Sequence, residues 1–162
     1  MFNIFKKKFI GETIVSPFNG KLINIEDVPD PVFSGKMVGD GVAVEPKDGM
    51  VYSPVDGEVI QLFPTKHAIG IRSSGGLEIL IHIGMDTVEM KGEGFESFVE
   101  EGQKVKTGDK LIVFDIDKVK ENHPIISPVI ITNMELVEKM KKKENGVTVE
   151  GGKTEIMKIN LK

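Results

Sequence analysis

A nine-residue phrase occurs twice in this 162-residue chain, and that echo limits its fold more than any other feature. Val15-Ser16-Pro17-Phe18-Asn19-Gly20-Lys21-Leu22-Ile23 returns 37 residues later as Tyr52-Ser53-Pro54-Val55-Asp56-Gly57-Glu58-Val59-Ile60. Ser-Pro followed by Asn-Gly or Asp-Gly is a turn with a mechanism: proline fixes φ, and the Gly dipeptide tolerates the positive φ of tight turns. Apolar alternation follows each turn, as in a half-buried strand. A shorter fragment, Ile126-Ser127-Pro128-Val129-Ile130, begins the same way. Two copies are too few for a solenoid. They predict two related halves in one all-β domain, an antiparallel β-sandwich or barrel with an internally duplicated hairpin and short helical turns.

Composition narrows the class further. At 40% apolar residues the chain can bury the core of one domain. A net charge of −4 and a pI near 5.5 argue against nucleic acid as a partner. Without cysteine there is no disulfide framework, no cysteine-based zinc site and no thiol catalysis, which fits a cytoplasmic protein. No apolar run approaches the roughly 18–20 residues of a transmembrane helix. Residues 1–12 read as a flexible tail and 13–162 as the domain, with its core motifs at about 28–132. The tail is apolar and then basic, the reverse of a secretory signal. Its alternative role is a weak membrane-surface anchor through Phe2, Ile4, Phe5 and Lys6 to Lys8.

Two of the three histidines fall into one expected hairpin. The apolar run Ile79 to Ile83 contains His82 near its end, and Gly84, Asp86 and Thr87 follow at once. Alternation puts Ile79, Ile81 and Ile83 on a core face, with Leu80 and His82 on the other, close to a rim. His67 follows Pro64-Thr65 and opens a second apolar run, and Ser73-Ser74-Gly75-Gly76 between the runs is turn chemistry. A hairpin centred there pairs position 67 with position 82. A lone histidine ending a strand is ordinarily a satisfied loop contact, whereas two side by side call for a chemical role.

The segment Val28 to Gly41, stiffened by Pro29 and Pro31, holds Val32, Phe33, Met37 and Val38 without clear periodicity. These residues either plug one end of the barrel or form an exposed apolar rim that marks a partner surface. Gly102-Gln103 and Gly108-Asp109 are turns bounding short strands. Thr132-Asn133 ahead of Met134 to Met140 predicts a capped helix of about two turns. Val147 to Val149 and Glu155 to Ile159 are expected to close the chain as a hairpin.

A neutral imidazole is a good nucleophile toward phosphorus, and a neighbouring imidazole N–H can stabilise charge on a transferred phosphoryl group. Thr65, two residues before His67, is placed to fix that ring's tautomer. No Gly-x-x-x-x-Gly-Lys-Ser/Thr loop is present, so the phosphate is expected from another protein rather than from ATP. The rival is a zinc site made of both histidines with Asp30 or Asp86, as in a zinc hydrolase. His123, beside Pro124, reads as a loop histidine. A purely regulatory binding module is a third class.

Gly76-Leu77-Glu78-Ile79-Leu80-Ile81-His82-Ile83-Gly84-Met85-Asp86-Thr87-Val88 resembles the signature of the glucose-type enzyme IIA of the bacterial phosphoenolpyruvate-dependent sugar phosphotransferase system. The likeness continues through Asp27 to Phe33, Val38 to Gly41, Thr65 to Ala68, Lys91 to Phe95 and Ser127 to Val129, nearly the whole chain from about Thr13. It implies a β-sandwich whose shallow apolar depression holds both histidines. By this resemblance His82 takes a phosphoryl group on Nε2 from the histidine phosphocarrier protein and gives it to the enzyme IIB domain of a sugar permease. His67, held by Thr65, supports the group without carrying it. Asp30 and Asp86 flank the depression and meet basic partner side chains, and Val32, Phe33, Met37, Val38, Phe63, Ile69 and Leu80 form its apolar rim. No cofactor is required. A zinc ion bridging His67 and His82 is expected only in a partner complex. Regulatory targets are further expected partners, and membrane contact runs through the permease or, weakly, the tail.

Overall fold

The computed structural model describes residues 11–162. Fourteen strands follow in order: β1 (Gly11–Val15), β2 (Gly20–Asn24), β3 (Asp40–Pro46), β4 (Met50–Tyr52), β5 (Gly57–Leu62), β6 (Ala68–Ser73), β7 (Glu78–His82), β8 (Phe95–Ser97), β9 (Lys104–Val105), β10 (Lys110–Phe114), β11 (Ser127–Ile131), β12 (Val137–Lys142), β13 (Thr148–Val149) and β14 (Glu155–Leu161). Two short helices, α1 (Pro31–Ser34) and α2 (Ile116–Asn122), interrupt them. One large sheet has the order β13-β2-β3-β11-β7-β6-β5-β9, and two three-stranded sheets, β1-β14-β12 and β4-β10-β8, complete the all-β sandwich. Every strand pair is antiparallel. Gly11 and Glu12, assigned by sequence to the tail, already pair with Asn160 and Ile159 in β1. The segment read as a membrane anchor, Phe2 to Lys8, lies outside the described residues.

The echo is structural. The Val15 N–H donates to Pro54 O (3.1 Å), and its counterpart Tyr52 N–H donates to Pro17 O (2.8 Å), so the two turns clasp one another reciprocally. Ser16 and Ser53 are both fully buried. Each hydroxyl donates to the carbonyl two residues on, Phe18 O at 2.6 Å and Val55 O at 2.7 Å. The duplication also reaches a second pair of segments. Gly146 N–H donates to Leu22 O and Gly102 N–H to Val59 O, both at 2.7 Å, which sets β13 on β2 as β9 sits on β5. For that reason Val147 to Val149 form no hairpin with Glu155 to Ile159, contrary to the sequence reading. β13 flanks the first repeat, while β14 pairs with β1 and β12. The third Ser-Pro, Ser127-Pro128, lies inside β11 rather than in a turn.

Strand alternation gives the large sheet two apolar faces. Val42, Val44, Ile79, Ile81, Val129 and Ile131 point into the main core. Ala43 and Ile130 point the other way, into a smaller cluster with Ile25, Val28, Phe33 and Met85. The segment between β2 and β3 therefore lies back over the sheet.

The helix expected over Met134 to Met140 is a single 3-10 turn, Met134–Leu136, running into β12. Asn133 supplies no cap to it. Its side chain instead accepts from Glu78 N (2.8 Å) and donates to Gly76 O (2.9 Å), tying down the β6–β7 turn. Pairing with β14 and packing of Val137 and Met140 on the core override the helical spacing of the apolar residues.

Candidate functional site

β7 delivers His82 at its last residue, on the face opposite the buried Ile79, Ile81 and Ile83. β6 starts at Ala68, which stands opposite His82, so His67 falls one residue before the strand rather than directly across. The ladder still reaches it, because Ile83 N–H donates to His67 O at 2.8 Å. The two imidazole rings meet edge to face with centroids 5.2 Å apart. Phe33 from α1 packs on His82 at 5.1 Å, and Phe63 packs on His67 at 5.4 Å. Four rings thus line up across the end of one hairpin.

Each imidazole has one nitrogen committed. His82 Nδ1 lies 2.8 Å from Gly84 O. A carbonyl only accepts, so Nδ1 carries the proton and the Nε2 lone pair is free. His67 Nδ1 lies 2.6 Å from Thr65 Oγ1. With the hydroxyl as donor, the His67 proton sits on Nε2, giving the site one nucleophilic nitrogen and one N–H donor. Burial pushes the pKa of His67 down to about 4, helped by the neighbouring His82. Burial also lowers that of His82, against the opposing pull of the Gly84 hydrogen bond and the Asp30 and Asp86 carboxylates. Both rings are therefore neutral at neutral pH.

Asp30 caps α1, accepting from Val32 N at 3.0 Å, and so anchors the segment that carries Phe33. Asp86 adopts a left-handed backbone (φ +56°) just after the His82 strand. Lys36, Lys66 and Lys91 do the same at φ +58°, +58° and +55°. All four flank the segments that build the site, where such strain characteristically collects.

The residues expected to form the apolar rim differ in exposure. Val32 and Met37 are exposed, at 42% and 76%. Phe63 is half-buried against His67, and Val38 and Leu80 are half-buried on the smaller cluster. Phe33 is buried, with its ring against His82. Ile69 does not belong to the rim. It pairs with Ile81 in register, shares the core face and is fully buried. Val88, on the 3-10 turn after Asp86, is exposed at 51%, and the sequence reading did not count it among the rim residues. Its signal was present in Asp86-Thr87-Val88, an apolar residue beside a turn. His123 lies apart, in a groove of about 680 Å³ lined with Glu89, Lys118 and Glu121. Among the described residues no group of three His, Asp or Glu side chains could hold a metal ion, so the two histidines supply only two ligands.

Residues 12–137 match the family model described as phosphoenolpyruvate-dependent sugar phosphotransferase system, EIIA 1. The chain belongs to this EIIA family. It is 57% identical over 152 residues to the glucose-specific EIIA component of the phosphotransferase system from Bacillus anthracis, covering 93% of this chain and 92% of that one. It is 52% identical over 123 residues to the glucosamine-specific EIICBA component of Bacillus subtilis, covering 75% of this chain and 20% of that longer one. Among solved structures, glucose permease IIA from Mycoplasma capricolum superposes with a TM-score of 0.82 at 39% identity, covering 95% of this chain and 97% of that one. Family membership makes this EIIA chain a phosphotransferase component of sugar uptake, and its β-sandwich agrees with that of the solved relative. No helix among its described residues is long and apolar enough to cross a membrane.

Proposed function

We propose that this EIIA chain is a cytoplasmic phosphoryl relay with His82 as the carrier. The observation that carries the reading is the Nδ1 contact to Gly84 O, which leaves Nε2 as the nucleophile. The Nε2 lone pair attacks phosphorus on the phosphohistidine of the histidine phosphocarrier protein. The donor N–P bond breaks with its electron pair returning to the donor ring, and the His82 Nε2–P bond forms. His82 is then a cation that keeps its Nδ1 proton. Gly84 O and the carboxylates of Asp30 and Asp86 favour that charge. In the second step a cysteine thiolate of an enzyme IIB domain attacks phosphorus, and the His82 N–P bond breaks.

His67 donates from Nε2 to a phosphoryl oxygen, held in that tautomer by Thr65. Val32, Met37 and Val88 exclude water when a partner docks, and Asp30 and Asp86 steer basic partners. No metal enters either step. A zinc ion bridging His67 and His82 would draw its remaining ligands from a partner. The acceptor is the IIB domain of a glucose-type permease, a choice supported by the glucose-specific relatives and by the one named EIICBA. Membrane contact runs through that permease, and the phosphorylation state is available to regulatory targets.

The test is intact-protein mass after incubation with phosphoenolpyruvate, enzyme I and the phosphocarrier. The chain should gain one acid-labile phosphoryl group, and His82→Ala should gain none. His67→Gln should accept phosphate yet donate it poorly. Equal loss of acceptance in both variants would overturn the division of roles.

A further inference from the structure

The peptide groups just after His82 are held in a way that the two histidines alone do not explain. Gly84 N–H donates to Ser127 Oγ at 3.0 Å, across 43 residues of sequence, and the Ser127 hydroxyl donates onward to Ile125 O at 2.8 Å. Met85 N–H, on the same peptide as the Gly84 carbonyl, donates to Pro124 O at 3.0 Å. Thr87 Oγ1 donates to Ile83 O, and Ile83 N–H is taken by His67 O. Every polar backbone group from Ile83 N to Met85 N thus has a fixed partner, and the remaining acceptor, Gly84 O, is the one His82 uses. Gly84 itself sits at φ +67° with no room for a side chain, since a Cβ would meet Thr87 Cγ2 at 2.9 Å and Pro124 O at 3.0 Å.

We infer that Ser127 is a positioning residue for His82, its hydroxyl fixing the Gly84 peptide so that the following carbonyl holds His82 Nδ1–H and aims Nε2 outward. This rests on the reading of His82 as the phosphoryl acceptor. Ser127 is fully buried at the start of β11, and its hydroxyl is engaged by Gly84 N–H and Ile125 O rather than by either imidazole, so it acts through the loop. An aliphatic replacement would leave the buried Gly84 N–H without a partner, and the loop would relax to find one. The Met85–Pro124 bond polarises the Gly84 carbonyl, so the Pro124–Ser127 segment supports the acceptor from both sides. Ser127-Pro128 resembles the turn phrase of the repeats, but its hydroxyl serves this loop instead.

The deciding measurement is the protonation pattern of the His82 ring, read from long-range proton–nitrogen correlations in nitrogen-15-labelled protein at neutral pH. Wild-type protein should show the Nδ1–H tautomer. Ser127→Ala should mix in the Nε2–H tautomer and slow phosphoryl acceptance about tenfold, taking second partners of metal-bound histidines as the guide. Ser127→Thr, which keeps the hydroxyl, should restore both. An unchanged tautomer in Ser127→Ala overturns the inference, even if the rate falls, because a rate loss alone marks a general structural effect. Should Ser127→Ala fail to fold, Ser127→Cys, which keeps the volume but offers a far weaker acceptor, takes its place in the same comparison, and an unchanged tautomer there overturns the inference. If His82→Ala still takes up phosphate, the relay reading fails by itself, and the tautomer result judges Ser127 independently.

Discussion

His67 is expected to make the fold sensitive to mild acid, and the size of the effect follows from its burial. The ring is 6% exposed, and its pKa is pushed from 6.5 down to about 4. A folded-state value below the unfolded one means that, between those limits, the unfolded chain binds a proton the folded chain refuses. Stability is therefore fully present above about pH 6.5 and falls as the pH drops toward 4. At about 1.4 kcal/mol per pH unit the loss amounts to about 3 kcal/mol, a large share of a typical domain's stability. His67→Gln removes the titrating ring while other acid-sensitive groups stay in both proteins. Urea unfolding at steps from pH 7 to pH 4 should show the variant gaining about 3 kcal/mol relative to wild type. With a slope near 2 kcal/mol per molar, that is a midpoint difference of about 1.5 M. Profiles that stay parallel over the whole range would refute the argument, because a His67 that protonates freely in the fold cannot be the buried neutral donor.

Three further outcomes follow from single contacts. Thr65→Val removes the hydroxyl 2.6 Å from His67 Nδ1 and should slow donation to the permease domain about tenfold while acceptance changes little, as a chase of labelled phosphoprotein would read. Met37→Lys alters a side chain that is 76% exposed, so thermal stability should move by less than about 0.5 kcal/mol. Binding of the basic phosphocarrier, measured by titration calorimetry, should weaken about tenfold. Gly84→Ala forces a Cβ within 2.9 Å of Thr87 Cγ2 at φ +67° and should cost about 1–3 kcal/mol by chemical denaturation.

The parts of the site set by alternation were legible in the sequence, because a strand permits only two faces. Ile79, Ile81 and Ile83 had to share one, which sent His82 to the other. The pairing is shifted by one because Arg72 pairs with Glu78 and Ser73 N–H donates to Leu77 O, which leaves an odd turn of three residues, Ser74 to Gly76, with Gly76 at φ +97°. The same one-residue logic removes Ile69 from the rim. Once Ala68 stands opposite His82, Ile69 must face the core. Met134 to Met140 was misread because apolar residues three apart suit a helix and the edge of a sheet alike. Only β14, distant in sequence, decides between them. Ser127 carried no local signal of its role, since its partner peptide lies 43 residues earlier.

Duplication also explains where the site is. Val44 pairs with Ser127 in one half and Ile71 pairs with Ile79 in the other, so Ile130 corresponds in position to His82. β3 and β6 run in opposite directions across the intervening β11 and β7, so the loops that precede them emerge at opposite ends of the sheet. A strictly symmetric molecule could not bring both loops to one histidine. The loops differ in length, however. Residues 63–67 make a tight turn that leaves Phe63, Thr65 and His67 beside β7, whereas residues 25–39 are long enough to fold back over the sheet. Ile25, Val28 and Phe33 bury themselves on Ala43 and Ile130 along that path, and the path ends with the Phe33 ring against His82. The apolar cluster beneath the long loop thus fixes Asp30 and Val32 at the far end from where their strand begins. Shortening that loop should leave the main core intact and remove one wall of the site, because the core residues belong to the opposite face of the sheet.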